Sequence, residues 1–354
     1  MHTQAYGSGL SGSDYALSDA LADDPRRPWS DVAQITGLTP VTARRRWQKL
    51  VDRGAAWITT YPGLDRRVVL SHVEVRCAPD SIARVAAHLS RHPRILSVSE
   101  VTGEYTFRLV VITQDVREFR EVLNGHVAGG PGVLAVRSAA ITRTYAEGSR
   151  WRALPQTPAP PASPAAEAPS PVSFTDPRAL TVLRVLETDG RAGSAMLARD
   201  LGTSDAHARR LTRGMLRSGL LAQRVDLGLE ASDWPHGLAL HMIAPAHRLD
   251  EIAARIRSIP GTRLCIAVSG GPYNLYAILW LQDLAEAVDV EARLVAELDV
   301  VVADRNIQLH YHKRMGHLFD DDRRRVAHLS WTAEPGAEPT PVVVGSGLSH
   351  GSGA

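Results

Sequence analysis

The sequence TPVTARRRWQKLVDR, residues 39–53, reads as a single basic amphipathic helix. Thr39 suits the N-cap and Pro40 the first helical position, and Gly54 follows where a left-handed residue commonly ends a helix. Basic residues far outnumber the one aspartate in this stretch. An apolar face is predicted at helical spacing: Val41, Trp47, Leu50 and Val51. Such a helix can either read DNA or form an ordinary solvated surface.

Two shorter helices are predicted before it, over residues 13–23 and 29–36, and a tight turn leads into the basic helix. Three helices with a turn before the third form the helix-turn-helix pattern, which we place at residues 13–60. Residues 56–70 have Pro-Gly at their centre and predict a two-stranded wing or a connecting ribbon. Residues 1–12 are rich in Gly and Ser and are expected to be flexible.

Residues 66–147 show the period-two alternation of strands interrupted by two helical patterns. The order βαββαβ predicts a ferredoxin-like sheet with both helices on one face. The other face is therefore expected to be free for a partner. The predicted strands are 68–76, 95–102, 105–113 and 133–145, and the predicted helices are 81–91 and 116–127.

The first half of the chain is repeated after a spacer rich in Pro and Ala at residues 148–173. Gly37 aligns with Gly202, and Thr39 aligns with Ser204. The predicted fold class is α+β, with two winged or three-helix helix-turn-helix domains and two ferredoxin-like domains in one chain. The remaining domains are a second helix-turn-helix unit at 174–225, a second sheet domain at 236–317 and a disordered tail at 324–354.

Composition narrows the function class. A formal net charge of +2 over 354 residues means that nucleic-acid contacts must come from local basic patches. Two distant cysteines and the lack of a long apolar run favour a reducing, cytoplasmic location without a membrane span.

We find no nucleophile elbow, P-loop or dinucleotide fingerprint, so we expect neither an enzyme nor a cofactor. His310 and His312, with His317 nearby, have a spacing that permits metal ligation, but a partly exposed strand is the preferred interpretation. Residues 320–325 are interpreted as a solvated charge run.

Both basic helices carry donors near their N-termini and cations further along, as a helix that reads base edges and phosphates requires. The alternative for each helix alone is a solvated charged face, but two copies in the same context favour DNA binding. The candidates in the first helix are Thr39, Pro40, Thr42, Arg44, Arg45, Arg46 and Lys49, and those in the second are Ser204, His207, Arg209, Arg210 and Arg213.

Two Gly-x-Tyr corners lie between the second and third strands of the two sheets. Glycine permits a positive φ, and exposed N–H groups beside a tyrosine could hold a zwitterion such as an amino acid. The alternative is a hairpin turn with a packing tyrosine. The candidate effector-binding residues are Gly103, Glu104, Tyr105 and Thr106 in the first corner, and Gly271, Pro272, Tyr273 and Asn274 in the second.

The element order, the run LTPVTARRRWQKLVDRG and the two corners resemble the Lrp/AsnC family of bacterial and archaeal transcription regulators. The resemblance implies a helix-turn-helix joined to a ferredoxin-like (RAM-type) effector domain, with effector binding at a Gly-x-Tyr-Asp corner. Thr106 and Asn274 stand where that family has its acid. The run Tyr273-Asn274-Leu275-Tyr276 also resembles part of the signature of siroheme decarboxylases, a cousin branch of the same layout.

The function predicted is a sequence-specific regulator that binds double-stranded promoter DNA in the bacterial cytoplasm, at the nucleoid. Its effector is expected to be an amino acid or related metabolite. Self-association is expected through the effector-domain sheets, as an intramolecular pseudo-dimer with the option of larger homo-oligomers. The alternatives are a siroheme-decarboxylase-like enzyme and a nucleoid-architectural protein of low sequence specificity.

Overall fold

A computed structural model describes residues 9–63, 68–148, 151–154, 170, 172–229 and 232–342. It confirms the α+β fold class, with each half of the chain contributing three helices, one separate strand and one βαββαβ sheet. No helix among these residues is long and apolar enough to cross a membrane.

The first helical unit begins at a capping box, in which Ser11 and Asp14 exchange side-chain and backbone hydrogen bonds. Gly37 then adopts a φ of 71° and ends the second helix. The helices pack through a common apolar core that includes Leu17, Leu21 and Trp47. The elements are α1 (Gly12–Asp23), α2 (Trp29–Thr36), α3 (Pro40–Asp52) and β1 (Ala56–Pro62).

The first sheet places alternate side chains toward two helices, as its period-two pattern predicts. The second helix of the unit begins as α-helix and continues as a π-helical turn over Val122–Val127. The elements are β2 (Val69–Cys77), α4 (Ile82–Ser90), β3 (Ile95–Val101), β4 (Phe107–Thr113), α5 (Val116–Glu121) and β5 (Val133–Ala146).

The second half repeats this order. Gly202 has a φ of 61° and occupies the same turn as Gly37, and Ser204 caps the third helix as Thr39 does in the first copy. The helical unit contains α6 (Pro177–Thr188), α7 (Ser194–Leu201), α8 (Asp205–Arg217) and β6 (Leu221–Leu227). The sheet unit contains β7 (His236–Ile243), α9 (Leu249–Arg257), β8 (Thr262–Ser269), β9 (Leu275–Leu281), α10 (Glu286–Glu297) and β10 (Val301–Arg314).

The two sheets close into one eight-stranded barrel. Within the halves the strand orders are β3-β4-β2-β5 and β8-β9-β7-β10, and β5 pairs with β8 while β10 pairs with β3. Because both edges of each sheet are paired, the barrel leaves neither edge open. Closure also turns one face of each sheet toward the inside of the barrel. The face that was expected to be free is therefore covered by the other half of the same chain.

The helical units are joined by a two-stranded ribbon. β1 does not fold back on itself as a wing; it runs antiparallel to β6, with Ala56 opposite Leu227 and Pro62 opposite Leu221. All residues of β1 are buried. The ribbon thus fixes the first helix-turn-helix unit to the second, which the local sequence alone did not specify.

The tail expected to be disordered is ordered over most of its described length, so that prediction is wrong up to residue 342. The short strand β11 (His317–Phe319) pairs with β10 just before this tail, and two strands of the tail extend the sheet further: β12 (Arg325–His328) and β13 (Thr340–Pro341). Arg325 is only 3% exposed, so it does not belong to a solvated charge run. The polar, Pro-rich composition hid these pairings, because each strand is too short to show a period. Residues 343–354 lie outside the described part.

The segments expected to be flexible are also partly packed. Leu10 is buried in the first helical core, and Ala153 at the start of the Pro/Ala spacer is 3% exposed. The backbone N–H groups of Ala153 and Leu154 donate to the carboxylate of Asp19. Most of the spacer and residues 1–8 lie outside the described residues.

Trp331→Ala tests the packing of the tail. The Trp331 side chain lies in the core of the second helical unit, with its ring 5.5 Å from that of Phe174. Truncating a buried Trp leaves a cavity, so we expect the free energy of unfolding to fall by about 3 kcal/mol. Urea denaturation measures it. Val326→Ala, at a side chain that is 42% exposed, is the control and should cost less than about 1 kcal/mol. Equal stabilities for Trp331→Ala and the wild type would contradict the packed tail.

Candidate DNA-binding and ligand-binding sites

The third helix of each helical unit begins at a side-chain cap. The Thr39 hydroxyl accepts from the backbone N–H of Thr42 at 3.2 Å, and the Ser204 hydroxyl accepts from that of His207 at 3.3 Å. Each cap satisfies one backbone N–H group in the first turn of its helix, and the other N–H groups of that turn have no partner within the helix. Pro40 is exposed at the first turn of α3, and Asp205 stands at the same place in α8.

Both helices display cations on their solvent-facing sides. Within the described residues, none of these side chains forms an ion pair or a side-chain hydrogen bond, so their donors are available to an anion such as phosphate. They are Arg44, Arg45 and Lys49 in α3, and Arg209, Arg210 and Arg213 in α8, all of which are exposed.

Arg46 has a structural position instead. Its Nε donates to Asp14 at 2.5 Å and its Nη2 donates to the Ser11 hydroxyl at 2.6 Å. The guanidinium group therefore fixes the start of α1 to the middle of α3.

Val41 was assigned to the buried face of α3, and that assignment is wrong. Its side chain is 77% exposed, and the buried face is formed by Ala43, Trp47 and Leu50. These three residues have the spacing of one helical stripe, and Val41 lies outside it. An apolar side chain is therefore presented among the exposed cations.

The two Gly-x-Tyr corners each lean on the fourth strand of the other half. A Cβ on Gly103 would lie 2.5 Å from Asn306 in β10, and a Cβ on Gly271 would lie 3.4 Å from Arg137 in β5. Both glycines have positive φ values, 106° and 82°, so a side chain would strain the backbone at either corner, and at Gly103 it would also clash with Asn306. The corners lie at the junction of the two sheets, where a ligand could affect their pairing.

In the first corner, Glu104 is exposed and its carboxylate lies 3.1 Å from Nη1 of Arg76. The Tyr105 ring packs under the guanidinium of Arg137, 4.5 Å from its centroid. Thr106 is half-buried beside them. This corner presents both charge signs to solvent.

The second corner uses its polar groups internally. The Tyr273 hydroxyl donates to Glu74 at 2.7 Å, and the Asn274 amide bonds both the N–H and the C=O of Ala244. Pro272 is exposed. The packing interpretation of the tyrosine therefore describes the second corner better than the first.

A buried polar network between the sheets was not found from the sequence. Arg108, 4% exposed, bonds Glu74 of its own half and the side chains of His241 and Asn306 of the other half. Burial and the nearby Arg108 lower the pKa of His72 to about 3 and hold that of His241 well below its usual range. The sequence of β2 does carry a sign of this network. His72 and Glu74 alternate with valines, so these polar side chains lie on the sheet face opposite to the valines that pack on the helices.

His72, Glu74 and His241 bring potential ligand atoms within 4.8 Å of one another. The Arg108 guanidinium already bonds Glu74 and lies 2.7 Å from Nε2 of His241. A positive group therefore occupies the position that a metal ion would need. His312, one of the histidines weighed from the sequence, contacts Glu100 at 2.9 Å instead.

A cavity of about 160 Å³ opens between the β1–β6 ribbon and the barrel. Three largely buried arginines line it: Arg224, Arg263 and Arg314. They come from three different strands, so no local sequence pattern predicts that they meet.

The chain combines two helix-turn-helix units on a shared ribbon with two ferredoxin-like sheets, and the families that its domains match make it a DNA-binding transcription regulator that responds to a small-molecule effector. Residues 12–51 match the AsnC-type helix-turn-helix domain and residues 71–151 match the Lrp/AsnC ligand binding domain. The first half of the chain therefore carries matches to both domains of the Lrp/AsnC family, and the second half repeats its architecture. Residues 177–225 match the IclR helix-turn-helix domain.

Relatives named as transcription regulators match a little over a third of the chain. The HTH-type transcriptional regulator FL11 of Pyrococcus horikoshii is 26% identical over 137 residues, which are 38% of this chain and 90% of that protein. The Bkd operon transcriptional regulator of Pseudomonas aeruginosa is 28% identical over 134 residues, 36% of this chain and 86% of that protein.

A solved structure resembles both halves together. The siroheme decarboxylase NirDL, in complex with an iron-uroporphyrin III analogue, superposes with a TM-score of 0.55 over 82% of this chain and 88% of that one. The sequences are 13% identical, so this likeness shows a shared fold alone.

The neutral histidines of the barrel predict acid sensitivity. His72 is neutral in the folded protein but binds a proton in the unfolded chain below about pH 6.5. The unfolded state then binds more protons, so stability falls as the pH drops from 6.5 toward 4.5, by about 1.4 kcal/mol per pH unit for each such histidine. His72→Gln should show a shallower slope than the wild type in urea unfolding at pH 7, 6 and 5. Identical slopes would contradict the buried neutral state.

Proposed function

We propose that this chain is a covalent pseudo-dimer that binds an operator through α3 and α8 at the same time. The observation that supports this most directly is the β1–β6 ribbon, which links the two helical units within one polypeptide. Regulators with one helix-turn-helix per chain need two chains to present two recognition helices. Here one chain supplies both, in the cytoplasm and at the nucleoid.

The proposed contacts follow from exposure. Thr39, Thr42, Ser204 and His207 lie at the helix starts, where side chains reach base edges. Arg44, Arg45 and Lys49, with Arg209, Arg210 and Arg213 in the second copy, supply cations for phosphates and guanines. The exposed Val41 fits an apolar contact such as a thymine methyl group. Arg46 orients α3 through Asp14 rather than reading DNA.

The two helices are not equivalent. Pro40 stands at the first turn of α3, whereas Asp205 stands at the first turn of α8 and repels phosphate. The first copy should therefore bind phosphate more strongly. The operator is expected to be an imperfect palindrome, with its half-sites about one helical turn or a multiple of it apart.

Arg45→Ala and Arg210→Ala should each weaken binding to the specific promoter fragment. Loss of an arginine contact costs about 1–3 kcal/mol, so we expect a decrease of roughly tenfold at fixed salt, with a lower salt dependence where a phosphate contact is lost. Fluorescence anisotropy at several salt concentrations measures both. The matched control is Arg257→Ala, an exposed arginine on α9.

Two outcomes would contradict this proposal. A perfect inverted repeat with equal losses from both variants would contradict the asymmetric readout. Equal affinity for the promoter and for random DNA would favour a nucleoid-architectural protein instead.

The effector is proposed to be an amino acid or related metabolite that binds at a corner, with the first corner favoured. Arg76 and Glu104 pair with each other at 3.1 Å, but their side chains are 45% and 64% exposed, so a zwitterion can exchange this solvent-exposed pair for one contact at each of its ends. In the second corner, the Tyr273 and Asn274 groups are already bonded within the protein. A bound ligand can shift DNA binding only if it binds the two arrangements of the sheets differently.

A thermal-shift screen against amino acids tests the effector. At least one compound should raise the midpoint of unfolding, and Glu104→Gln should reduce that shift because the ammonium group loses its partner. Pro272→Ala, at the exposed part of the second corner, is the control and should retain it. A screen with no shift from any compound would reject the effector proposal while leaving DNA binding intact.

An enzyme on this architecture is the second candidate, supported by the fold of NirDL and by the arginine-lined cavity. NirDL acts on siroheme, a large tetrapyrrole, whereas a cavity of about 160 Å³ is below the usual range for sites that enclose even drug-sized ligands, roughly 300–1,000 Å³. The regulator is therefore favoured. Stoichiometric binding of an iron tetrapyrrole, seen by its absorbance on the purified protein, would reverse that preference.

A further inference from the structure

The cavity beneath the ribbon is built at the joint between the DNA-binding and effector parts of the chain. Tyr61 and Pro62 of β1 and Arg224 of β6 form one wall, and barrel strands form the others. A molecule in this cavity would touch both parts at once. The site is separate from the two Gly-x-Tyr corners, none of whose candidate residues lines the cavity.

Two carboxylates accompany the three arginines: Glu147 lines the cavity and accepts from the Tyr61 hydroxyl at 2.9 Å, and Asp226 lies among the arginines. Asp226 is fully buried and accepts from Nε of Arg224 at 2.9 Å and from Nη2 of Arg314 at 2.6 Å. The Thr59 hydroxyl also donates to it at 2.6 Å. Its oxygens are therefore committed to these partners.

Arg263 is left without a hydrogen-bonded anion. Its Nη2 lies 3.6 Å from the nearest oxygen of Asp226, beyond a good hydrogen bond, and no side-chain hydrogen bond is formed by Arg263 among the described residues. The guanidinium is stacked against Trp280, 4.0 Å from the ring, and against Trp151 at 4.6 Å. The side chain is thus held rigidly, with unused donors, in a wall of the cavity.

Positive charge is in excess at this point, because three arginines accompany the two carboxylates Glu147 and Asp226. A Cβ on Gly148 would lie 3.1 Å from Nη1 of Arg224 and 3.1 Å from Nη2 of Arg263, so the two guanidinium groups flank the same glycine. Burial and the neighbouring Arg314 and Arg224 hold the pKa of Arg263 well below its usual range. A buried charge of this kind is stabilised by an anion.

The rest of the cavity is apolar and small. Its volume of about 160 Å³ is close to that of an engineered apolar cavity, roughly 150 Å³, that admits benzene. Aliphatic side chains from both halves of the barrel form this part of the wall: Leu70, Leu96, Val110, Ile112, Ile266 and Ile278. The cavity therefore suits a flat apolar body of about one ring.

We propose that this cavity binds a small aromatic carboxylate. The carboxylate accepts hydrogen bonds from Arg263 and is attracted by the neighbouring arginines, and the ring lies among the aliphatic side chains of the barrel. Because the ligand contacts β1 and β6 as well as the barrel, its binding stabilises one position of the ribbon relative to the barrel. This is a second ligand site, additional to the proposed corner site, and it does not depend on it.

Isothermal titration calorimetry on the full DNA-free chain tests the site with benzoate as the probe. We expect saturable binding of one benzoate per chain and a raised midpoint of thermal unfolding. Benzamide has the same ring without the charge, and sulfate at equal ionic strength has charge without the ring. Both should bind at least tenfold more weakly.

Variants separate the carboxylate contact from the ring contact. Arg263→Gln should weaken benzoate binding by roughly tenfold or more, since it removes a charge-assisted hydrogen bond. Its own unfolding midpoint should stay close to that of the wild type, because Arg263 makes no side-chain hydrogen bond among the described residues and the nearest carboxylate oxygen lies 3.6 Å away. Ile266→Phe fills the apolar end and should weaken benzoate while leaving the arginines in place. Arg257→Gln, on the exposed side of α9, is the matched control and should bind benzoate normally.

Three results would overturn the proposal. These are no benzoate binding in the millimolar range, equal binding of benzoate and benzamide, and unchanged binding by Arg263→Gln. Loss of benzoate binding from an Arg263→Gln protein that is also strongly destabilised would assign this arginine a purely structural role. None of these results depends on whether the chain binds DNA or an amino acid, so the two proposals fail separately.

Discussion

The buried Glu74–Arg108 pair is the interaction on which the arrangement of the two halves depends. Both side chains are at most 4% exposed, and desolvating an ion pair costs free energy unless its remaining donors and acceptors are bonded. The missing partners come from the other half, since Tyr273 donates to Glu74 at 2.7 Å and Asn306 accepts from Arg108. Neither sheet can therefore expose this face to an apolar partner, and the pairing of the halves satisfies it.

The same pair makes the barrel asymmetric. Glu74 precedes Val75, which pairs with Phe107 at the start of β4. His241 precedes Met242, which pairs with Leu275 at the start of β9. Because β4 and β9 are the third strands of their halves, Glu74 and His241 occupy equivalent positions. One half contributes a carboxylate where the other contributes a neutral imidazole. Two copies of the first half, paired with each other, would place two carboxylates there. The duplication thus permits a one-chain unit whose halves have diverged, and the differing recognition helices follow the same pattern.

Much of this fold could be predicted from sequence, because periodicity and caps are local. Thr39 and Ser204 predict where α3 and α8 start, and the alternating patterns of the strands predict the order βαββαβ. Partners were not predictable: the sequence shows that a strand has a polar face but not what covers it. The pairing of β1 with β6, the convergence of Arg224, Arg263 and Arg314, and the packing of Trp331 all join residues distant in sequence. Of the proposed DNA-binding residues, only Arg46 has a structural partner that its spacing did not reveal.

A double-mutant cycle across the two halves tests most directly that they form one interlocked unit. Glu74→Gln, Tyr273→Phe and the double variant would be unfolded in urea beside the wild type. Since the Tyr273 hydroxyl donates to Glu74 across the barrel, the two losses should not add, and a coupling free energy of about 1–2 kcal/mol is predicted. Additive losses within about 0.3 kcal/mol would contradict the account, because the two side chains would then not meet in the folded protein.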